Sequence, residues 1–112
     1  MITKNKIVKI VELAKKCNEC ALHHFKEFDK KSVGYKDDNS PLTKADVEVN
    51  NIAVYGLQKL FPNIEIISEE LYNSKHIFKN NKYFWLIDPI DGTKEFINKS
   101  PNFTVNFALV KH

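Results

Sequence analysis

The sequence predicts an α/β protein in which two long helices pack on a mixed or antiparallel sheet. Two stretches, 3–28 and 43–61, repeat apolar residues at the spacing of amphipathic helices. Three others, 63–67, 83–87 and 103–112, are short and β-branched or alternate between apolar and polar residues, as strands do. A chain of 112 residues with 43% apolar composition is sufficient for one small domain with a core.

The N-terminal segment is predicted to form a core-facing helix that begins near Thr3, a residue type common at helix N-caps. The apolar residues expected on its buried face are Ile7, Val11, Ala14, Ala21, Phe25 and Phe28. The segment lacks the continuous apolar stretch of a signal peptide or a membrane span. We therefore expect a cytoplasmic protein.

Cysteine and histidine side chains in this helix raise the question of a zinc site. Cys17, Cys20 and His24 share a helical face, and His23 lies beside them. A structural zinc site needs four ligands, usually from two elements, so reduced and partly buried thiols are the favoured interpretation. A redox pair is less favoured still, because thioredoxin-like pairs lie at helix starts and this pair lies mid-helix.

The second helix follows a polar loop, 38–43, and has a recognisable start. Thr43 with Asp46 three residues later forms a capping-box-like pattern, which by itself is best interpreted as structural. Gly56 is expected to weaken the helix slightly while allowing close packing. The residues expected to face the core are Val49, Ile52, Ala53, Leu57, Leu60 and Phe61.

An acidic loop follows the first predicted strand, 63–67. Ligands in open α/β sheets bind outside the carboxyl ends of strands, so Glu69 is expected to share one crevice with Asp88 and Asp91. Glu70 is interpreted as part of a solvated loop.

The strongest chemical signal follows the second strand, 83–87, where residues 88–93 are Asp-Pro-Ile-Asp-Gly-Thr. Pro89 fixes the backbone, and Asp91-Gly92 supports a sharp turn. Residues 93–98 can then begin a short helix whose amides face an anion. Carboxylates on a rigid turn suit Mg²⁺. On this motif alone, a metal-dependent phosphate site and a simple capped turn are equally good interpretations.

The final segment, 103–112, alternates as a strand up to the last residue. A strand pattern without a following turn implies an unpaired edge or an exposed apolar face. We therefore expect residues 1–112 to be a single, truncated domain.

Composition limits the classes of partner. The net charge is +3, from 17 lysines against 14 acids with no arginine, which is a poor nucleic-acid footprint. Because the chain has no arginine to bind phosphate through two parallel hydrogen bonds, phosphate recognition must depend on metal ions, lysine side chains and backbone N–H groups. The sequence lacks the alternating acidic residues of an EF-hand calcium loop. It also lacks the nucleophile of a haloacid-dehalogenase-like phosphatase, because Pro89 stands two residues before Asp91, where that signature has an aspartate. A small-molecule phosphate is the expected partner, with no nucleic acid and no transmembrane segment.

Three separated motifs together resemble the inositol monophosphatase superfamily of Mg²⁺-dependent, lithium-sensitive phosphatases. They are the acidic loop 68–70, the signature 88–93 and the helix start 43–46, in the family's order and with its separations. The continuation 94–97, Lys-Glu-Phe-Ile, and the loop 38–43 are most similar to CysQ-type 3'(2'),5'-bisphosphate nucleotidases. The resemblance implies the N-terminal portion of a layered α-β-α-β-α sugar-phosphatase-like fold.

The resemblance also implies roles for individual residues. Glu69, Asp88 and the backbone carbonyl of Ile90 would hold one Mg²⁺. Asp88 and Asp91 would hold a second. Asp46 and Thr93 would position the attacking water and help to deprotonate it. The substrate would contact Glu69, Ile90, Asp91, Gly92 and Thr93.

The activity implied is removal of the 3'-phosphate of adenosine 3',5'-bisphosphate, as in sulfur assimilation and nucleotide recycling. The alternatives are an inositol monophosphatase-type activity and a catalytically dead fragment. Family members are roughly twice as long, and their C-terminal half supplies another metal-binding Asp and most of the substrate pocket. Weak or no activity is therefore expected of this chain alone. The resemblance also implies a peripheral position at the inner face of the cell membrane.

Overall fold

The computed structural model describes residues 2–28, 34–35, 41–68 and 83–111. Its elements, in chain order, are α1 (Lys4–Glu27), β1 (Gly34–Tyr35), β2 (Pro41–Leu42), α2 (Lys44–Leu60), β3 (Glu65–Ser68), β4 (Tyr83–Asp91), α3 (Thr93–Ile97) and β5 (Thr104–Lys111). Both long helices begin at a predicted cap. Thr3 accepts a hydrogen bond from the backbone N–H of Lys6, and Thr43 forms a complete capping box with Asp46.

The main sheet has the order β3-β4-β5. β3 runs parallel to β4, with Ser68 opposite Ile87, and β4 runs antiparallel to β5. β1 and β2 form a separate antiparallel pair. Among the described strands, β5 pairs with β4 alone. Two long helices on a mixed sheet confirm the predicted fold class.

The core lies between the two long helices and one face of the main sheet. Side chains alternate across strands, so Trp85 and Ile87 of β4 face the helices, and the Phe61 ring lies 5.4 Å from that of Trp85. Val49, Ala53, Leu57 and Phe61 are buried, and Ile52 and Leu60 pack against them. The predicted buried face of the second helix is thus confirmed. On the opposite sheet face, Leu86 remains 46% exposed.

The predicted buried face of α1 is wrong in its first two turns. Ile7 is 50% exposed and Val11 is 48% exposed, whereas Leu13, Cys17 and Ala21 are buried against α2. Apolar residues cover more than one face of this part of the helix, so the spacing fits two faces about 100° apart. The small side chains of Cys17 and Ala21 allow α2 to approach the second face. Of the predicted residues, Ala21 is buried, and Ala14, Phe25 and Phe28 are half-buried.

Gly56 lies where α2 packs against Leu13 of α1. A Cβ atom there would lie 2.4 Å from Leu13 Cδ1, so the glycine permits the helix contact, as predicted. A smaller aromatic cluster fixes the far end of α1, where the Phe96 ring contacts those of Phe25, Phe28 and Phe103. No helix in the described part of the chain combines the length and apolar character needed to cross a membrane.

Candidate functional site

The predicted metal turn begins as a continuation of strand β4. Sequence reasoning ended this strand at Ile87, but β4 extends to Asp91. Asp88 pairs with Asn106 and Asp91 with Thr104, so β4 contains one residue more than β5 between these pairs. This irregularity is a β-bulge between Asp88 and Asp91. Pro89, which lies within it, is buried and has no N–H to contribute to a regular ladder.

The bulge decides where the two carboxylates lie. In a regular strand, residues three apart lie on opposite faces, but one extra residue returns the second to the face of the first. Asn106 lies directly opposite Asp88, and its Nδ2 donates to Asp91 Oδ2 at 3.2 Å. Asp88 and Asp91 therefore occupy the same face of the sheet, on the side away from the long helices.

Gly92 makes the turn out of the strand. Its φ is +94°, and a Cβ atom would lie 2.9 Å from the backbone oxygen of Asn102. Any other residue would be strained by both the dihedral angle and the contact. The sharp turn predicted at Asp91-Gly92 and the short helix after it are confirmed, and buried Phe96 anchors that helix.

A buried carboxylate joins α2 to this turn. Asp46 is fully buried and accepts hydrogen bonds from Thr43 N at 2.9 Å and Thr43 Oγ1 at 2.5 Å. Its other oxygen, Oδ1, accepts from Thr93 Oγ1 at 3.0 Å. The capping interaction and the contact to Thr93 use different oxygens. Asp46 can therefore hold the helix start and face the turn at the same time.

Thr93 connects the buried carboxylate to the strand end. Its hydroxyl oxygen lies 3.0 Å from Asp46 Oδ1 and 3.2 Å from the carbonyl oxygen of Ile90. A hydroxyl carries one proton, so it donates to one of these acceptors while its lone pairs remain available to a donor. The structure thus brings together Asp46, Ile90 and Thr93, which sequence reasoning had placed in one site.

The acidic loop that was expected to complete the site lies outside the described residues, as do Glu69, Glu70 and residues 38–40. β3 ends at Ser68, directly before this loop and in register with Ile87 of β4. The parallel strands β3 and β4 therefore reach the same edge of the sheet. Glu69 as a metal ligand remains a prediction.

Sequence reasoning missed two asparagines that support the site. Asn106 lies on β5, and its relation to Asp91 depends on strand register, which the sequence does not show. Asn50 is 2% exposed and accepts a hydrogen bond from the Ser68 hydroxyl, linking α2 to the end of β3. A signal for Asn50 was present, because it lies one turn after Asp46 and interrupts the apolar face of α2.

The donor atoms of this site suit a hard cation. Asp88 and Asp91 contribute carboxylates on one face of the sheet, and Ile90 between them contributes a backbone carbonyl whose oxygen is close to Thr93. All three are oxygen donors, the type that Mg²⁺ and Ca²⁺ prefer. The residues present therefore fit a divalent cation of this class.

Comparisons with known proteins show which family the sequence matches. The sequence profile of the inositol monophosphatase family matches residues 4–112. The 3'(2'),5'-bisphosphate nucleotidase CysQ of Buchnera aphidicola is 40% identical over 111 residues, which are 99% of this chain and 42% of that protein. This chain thus spans less than half the length of that relative.

Solved structures show the same likeness. CysQ from Bacteroides thetaiotaomicron is 32% identical with a TM-score of 0.75, over 96% of this chain and 38% of that one. An IMPase from Thermotoga maritima is 29% identical with a TM-score of 0.77, over 96% of this chain and 40% of that one. In each case the match covers nearly all of this sequence and less than half of the relative.

Proposed function

The chain belongs to the inositol monophosphatase family, and on that premise we propose that it carries part of the active site of a Mg²⁺-dependent phosphatase for 3'(2'),5'-bisphosphate nucleotides. The observation that carries the proposal is the hydroxyl of Thr93. It lies between the buried carboxylate of Asp46 and the carbonyl of Ile90, next to the turn that carries Asp88 and Asp91.

The oxygen donors at this turn are of the type that Mg²⁺ prefers, which supports a site for this ion. In our proposal, Glu69, Asp88 and the carbonyl of Ile90 would hold one ion, and Asp88 and Asp91 would hold a second. When bound, such ions lower the pKa of a water molecule and stabilise negative charge on the attacking and leaving oxygens. Asn106 supports this arrangement by donating to Asp91 Oδ2, which leaves the other carboxylate oxygen of Asp91 for an ion.

Asp46 and Thr93 accept the proton of the attacking water. Thr93 donates its hydroxyl proton toward Asp46 Oδ1, so a lone pair of Thr93 Oγ1 is oriented to receive a proton from water. As the water loses that proton to Thr93, the proton already on Thr93 passes to Asp46. The two hydrogen bonds from Thr43 keep Asp46 in the orientation that this relay requires.

The substrate phosphate lies against the start of α3. Gly92 has no side chain, so a phosphate oxygen can approach the backbone N–H groups of Gly92 and Thr93 closely. A bisphosphate nucleotide, with adenosine 3',5'-bisphosphate as the preferred member, is favoured by the 40% identity to the Buchnera CysQ nucleotidase. Hydrolysis of its 3'-phosphate would release inorganic phosphate and adenosine 5'-monophosphate.

Coupled binding and turnover test this proposal. Calorimetric titration of the 112-residue chain with adenosine 3',5'-bisphosphate should show tighter binding in Mg²⁺ than in EDTA, and inositol 1-phosphate should bind more weakly. Phosphate release should require Mg²⁺ and fall in the Asp91→Asn variant. The Glu95→Gln variant, with an exposed carboxylate removed from α3, is the matched control. Nucleotide binding that does not respond to Mg²⁺ would contradict the proposal.

A further inference from the structure

A second group of metal-ligating side chains lies between α1 and α2. Cys20 and His24 are four residues apart on α1, so both side chains project from one face of that helix. Glu48 reaches the same place from α2. One ligand atom from each residue, a sulfur, an imidazole nitrogen and a carboxylate oxygen, lies within 4.8 Å of the other two.

The cluster is accessible and is already organised by its own contacts. His24 Nε2 contacts Glu48 Oε2, and the two side chains are 23% and 57% exposed. Burial, together with the nearby Glu48 carboxylate, raises the pKa of the Cys20 thiol to about 11. In the metal-free protein Cys20 is therefore a neutral thiol beside the contact between His24 and Glu48. A bound divalent cation would supply the positive charge that displaces such a proton.

We propose that Cys20, His24 and Glu48 form a binding site for a borderline-soft divalent cation of the Zn²⁺ class. Thiolate, imidazole and carboxylate are the ligand types that Zn²⁺ takes in proteins. Three protein ligands leave a fourth tetrahedral position for water. Mg²⁺ is excluded by its demand for oxygen ligands. This site is independent of the oxygen-donor site at the end of β4.

The structure revises the zinc interpretation that the sequence suggested. Sequence reasoning grouped Cys17 with Cys20 and His24 and disfavoured zinc because a structural site needs four ligands, usually from two elements. Cys17 is fully buried, and its Sγ donates to the backbone carbonyl of Val49 at 3.9 Å. Glu48 replaces it and supplies the second element. A cation bound here would link α1 to the first turns of α2 and so restrain the segment that carries Asp46.

The test uses Co²⁺ as a spectroscopic probe on untagged, reduced 112-residue protein. Co²⁺ bound to a thiolate shows an intense near-ultraviolet charge-transfer band, which carboxylate ligands do not produce. We expect this band to saturate at one equivalent and to disappear when Zn²⁺ is added. In the Cys20→Ser variant the band should be absent.

Single-ligand variants sharpen the assignment. His24→Gln and Glu48→Gln should each weaken Co²⁺ binding by more than about 100-fold, since loss of even an outer partner of a metal ligand costs about 10- to 100-fold. The matched controls are His23→Gln, the adjacent exposed histidine, and Cys17→Ala, the thiol one turn earlier. Both should bind as the parent chain does, with circular dichroism confirming that each variant is folded.

Thermal unfolding supplies a second readout. A cation that binds only the folded state raises the melting temperature, so Zn²⁺ should shift it upward in the parent chain and in His23→Gln but not in Cys20→Ser. The proposal fails if the charge-transfer band survives in Cys20→Ser. It also fails if Glu48→Gln leaves the affinity unchanged, or if Zn²⁺ shifts the melting temperature of all variants equally.

Discussion

The first turns of α2 carry two carboxylates with opposite surroundings. Asp46 is fully buried and accepts three hydrogen bonds from neutral donors on the cap and on Thr93. Glu48, two residues later and therefore about 200° around the helix, is exposed and faces Cys20 and His24 of α1. Asp46 is fixed by backbone and cap before any ligand arrives, whereas Glu48 can adjust. The first turns of α2 thus carry one carboxylate that is held in place and one that can change its orientation.

Asp46→Asn, which alters the buried carboxylate of α2, is the substitution with the largest expected effect. It keeps the size of the side chain but removes the proton acceptor of the proposed relay. Whatever phosphate release from adenosine 3',5'-bisphosphate the parent chain supports should fall by about 100- to 10,000-fold, the usual contribution of a general base. Mg²⁺ affinity should change little, because Asp46 is not a proposed metal ligand. Steady-state phosphate release and a Mg²⁺ titration measure the two quantities.

The control for Asp46→Asn is Glu12→Gln, which removes an exposed carboxylate from α1. It should leave turnover unchanged. If Asp46→Asn keeps turnover within about threefold of the parent chain, Asp46 is a structural cap only and the relay is wrong.

Two glycine substitutions separate the turn from the helix contact. Gly92→Ala forces a side chain into a positive φ and against a backbone oxygen, which should lower the free energy of unfolding by about 1–3 kcal/mol. It should also weaken Mg²⁺-coupled nucleotide binding. Gly56→Ala meets the flexible Leu13 side chain and gains about 1 kcal/mol of helix propensity, so its net effect should be smaller.

Urea unfolding and calorimetry of both glycine variants make the distinction. Gly56→Ala should leave coupled nucleotide binding at the parent level. Equal destabilisation with unchanged binding in Gly92→Ala would remove Gly92 from the proposed phosphate contacts.

Asn106→Ala tests how much the orientation of Asp91 matters. The hydrogen bond from Asn106 is exposed, so the free energy of unfolding should change by less than about 0.5 kcal/mol. Mg²⁺ affinity should nevertheless fall by about 10-fold, as it does when a supporting partner of a metal ligand is lost. The matched control is Asn51→Ala, which truncates an exposed asparagine on α2. A result in which both variants bind Mg²⁺ equally well would show that Asp91 needs no support.

The smallest expected effect is the pH dependence of the exposed carboxylate. The hydrogen bond from His24 lowers the pKa of Glu48 from its usual value of 4.5. A lowered pKa means that the pair stabilises the fold above about pH 4.5 and that this contribution is lost as the pH falls through the pKa of the folded state. Because Glu48 is exposed, solvent screening should keep the effect within about 0–1 kcal/mol.

Urea unfolding of metal-free protein between neutral and acidic pH measures this dependence. His24→Gln should abolish the Glu48 contribution, and His23→Gln should retain most of it. If His24→Gln and the parent chain lose stability in parallel, the contact between the helices does not contribute to folding.

The sequence predicted those features that depend on short spacing. The capping box of Thr43 and Asp46, the turn at Gly92 and the buried face of α2 all follow from residues within one or two turns of each other. The meeting of Asp46 with Thr93 also agrees with the family resemblance. The catalytic and metal-binding roles of these residues remain predictions.

Features that depend on long-range contacts could not be predicted. The buried face of α1 depends on which of its small side chains allow α2 to approach. The apolar pattern around Ile7 and Val11 is compatible with two different buried faces. Glu48 meets Cys20 and Asn106 meets Asp91 only after helices pack and strands align. β4 continues beyond Ile87 because a bulge accommodates Pro89. From sequence alone, a proline at this position predicts the end of a strand.

The bulge in β4 also explains the spacing of the acidic signature. A straight strand would place two cooperating carboxylates at an even separation, as in Asp-x-Asp, whereas this chain has them at an odd one. The odd spacing of the two aspartates therefore indicates a register shift in the strand, and it can be recognised in the sequence alone. Deleting Pro89 would leave Asp-Ile-Asp, an even separation that a regular strand places on one face without a bulge. Removal of Pro89 therefore changes the strand register and the spacing of the two aspartates together.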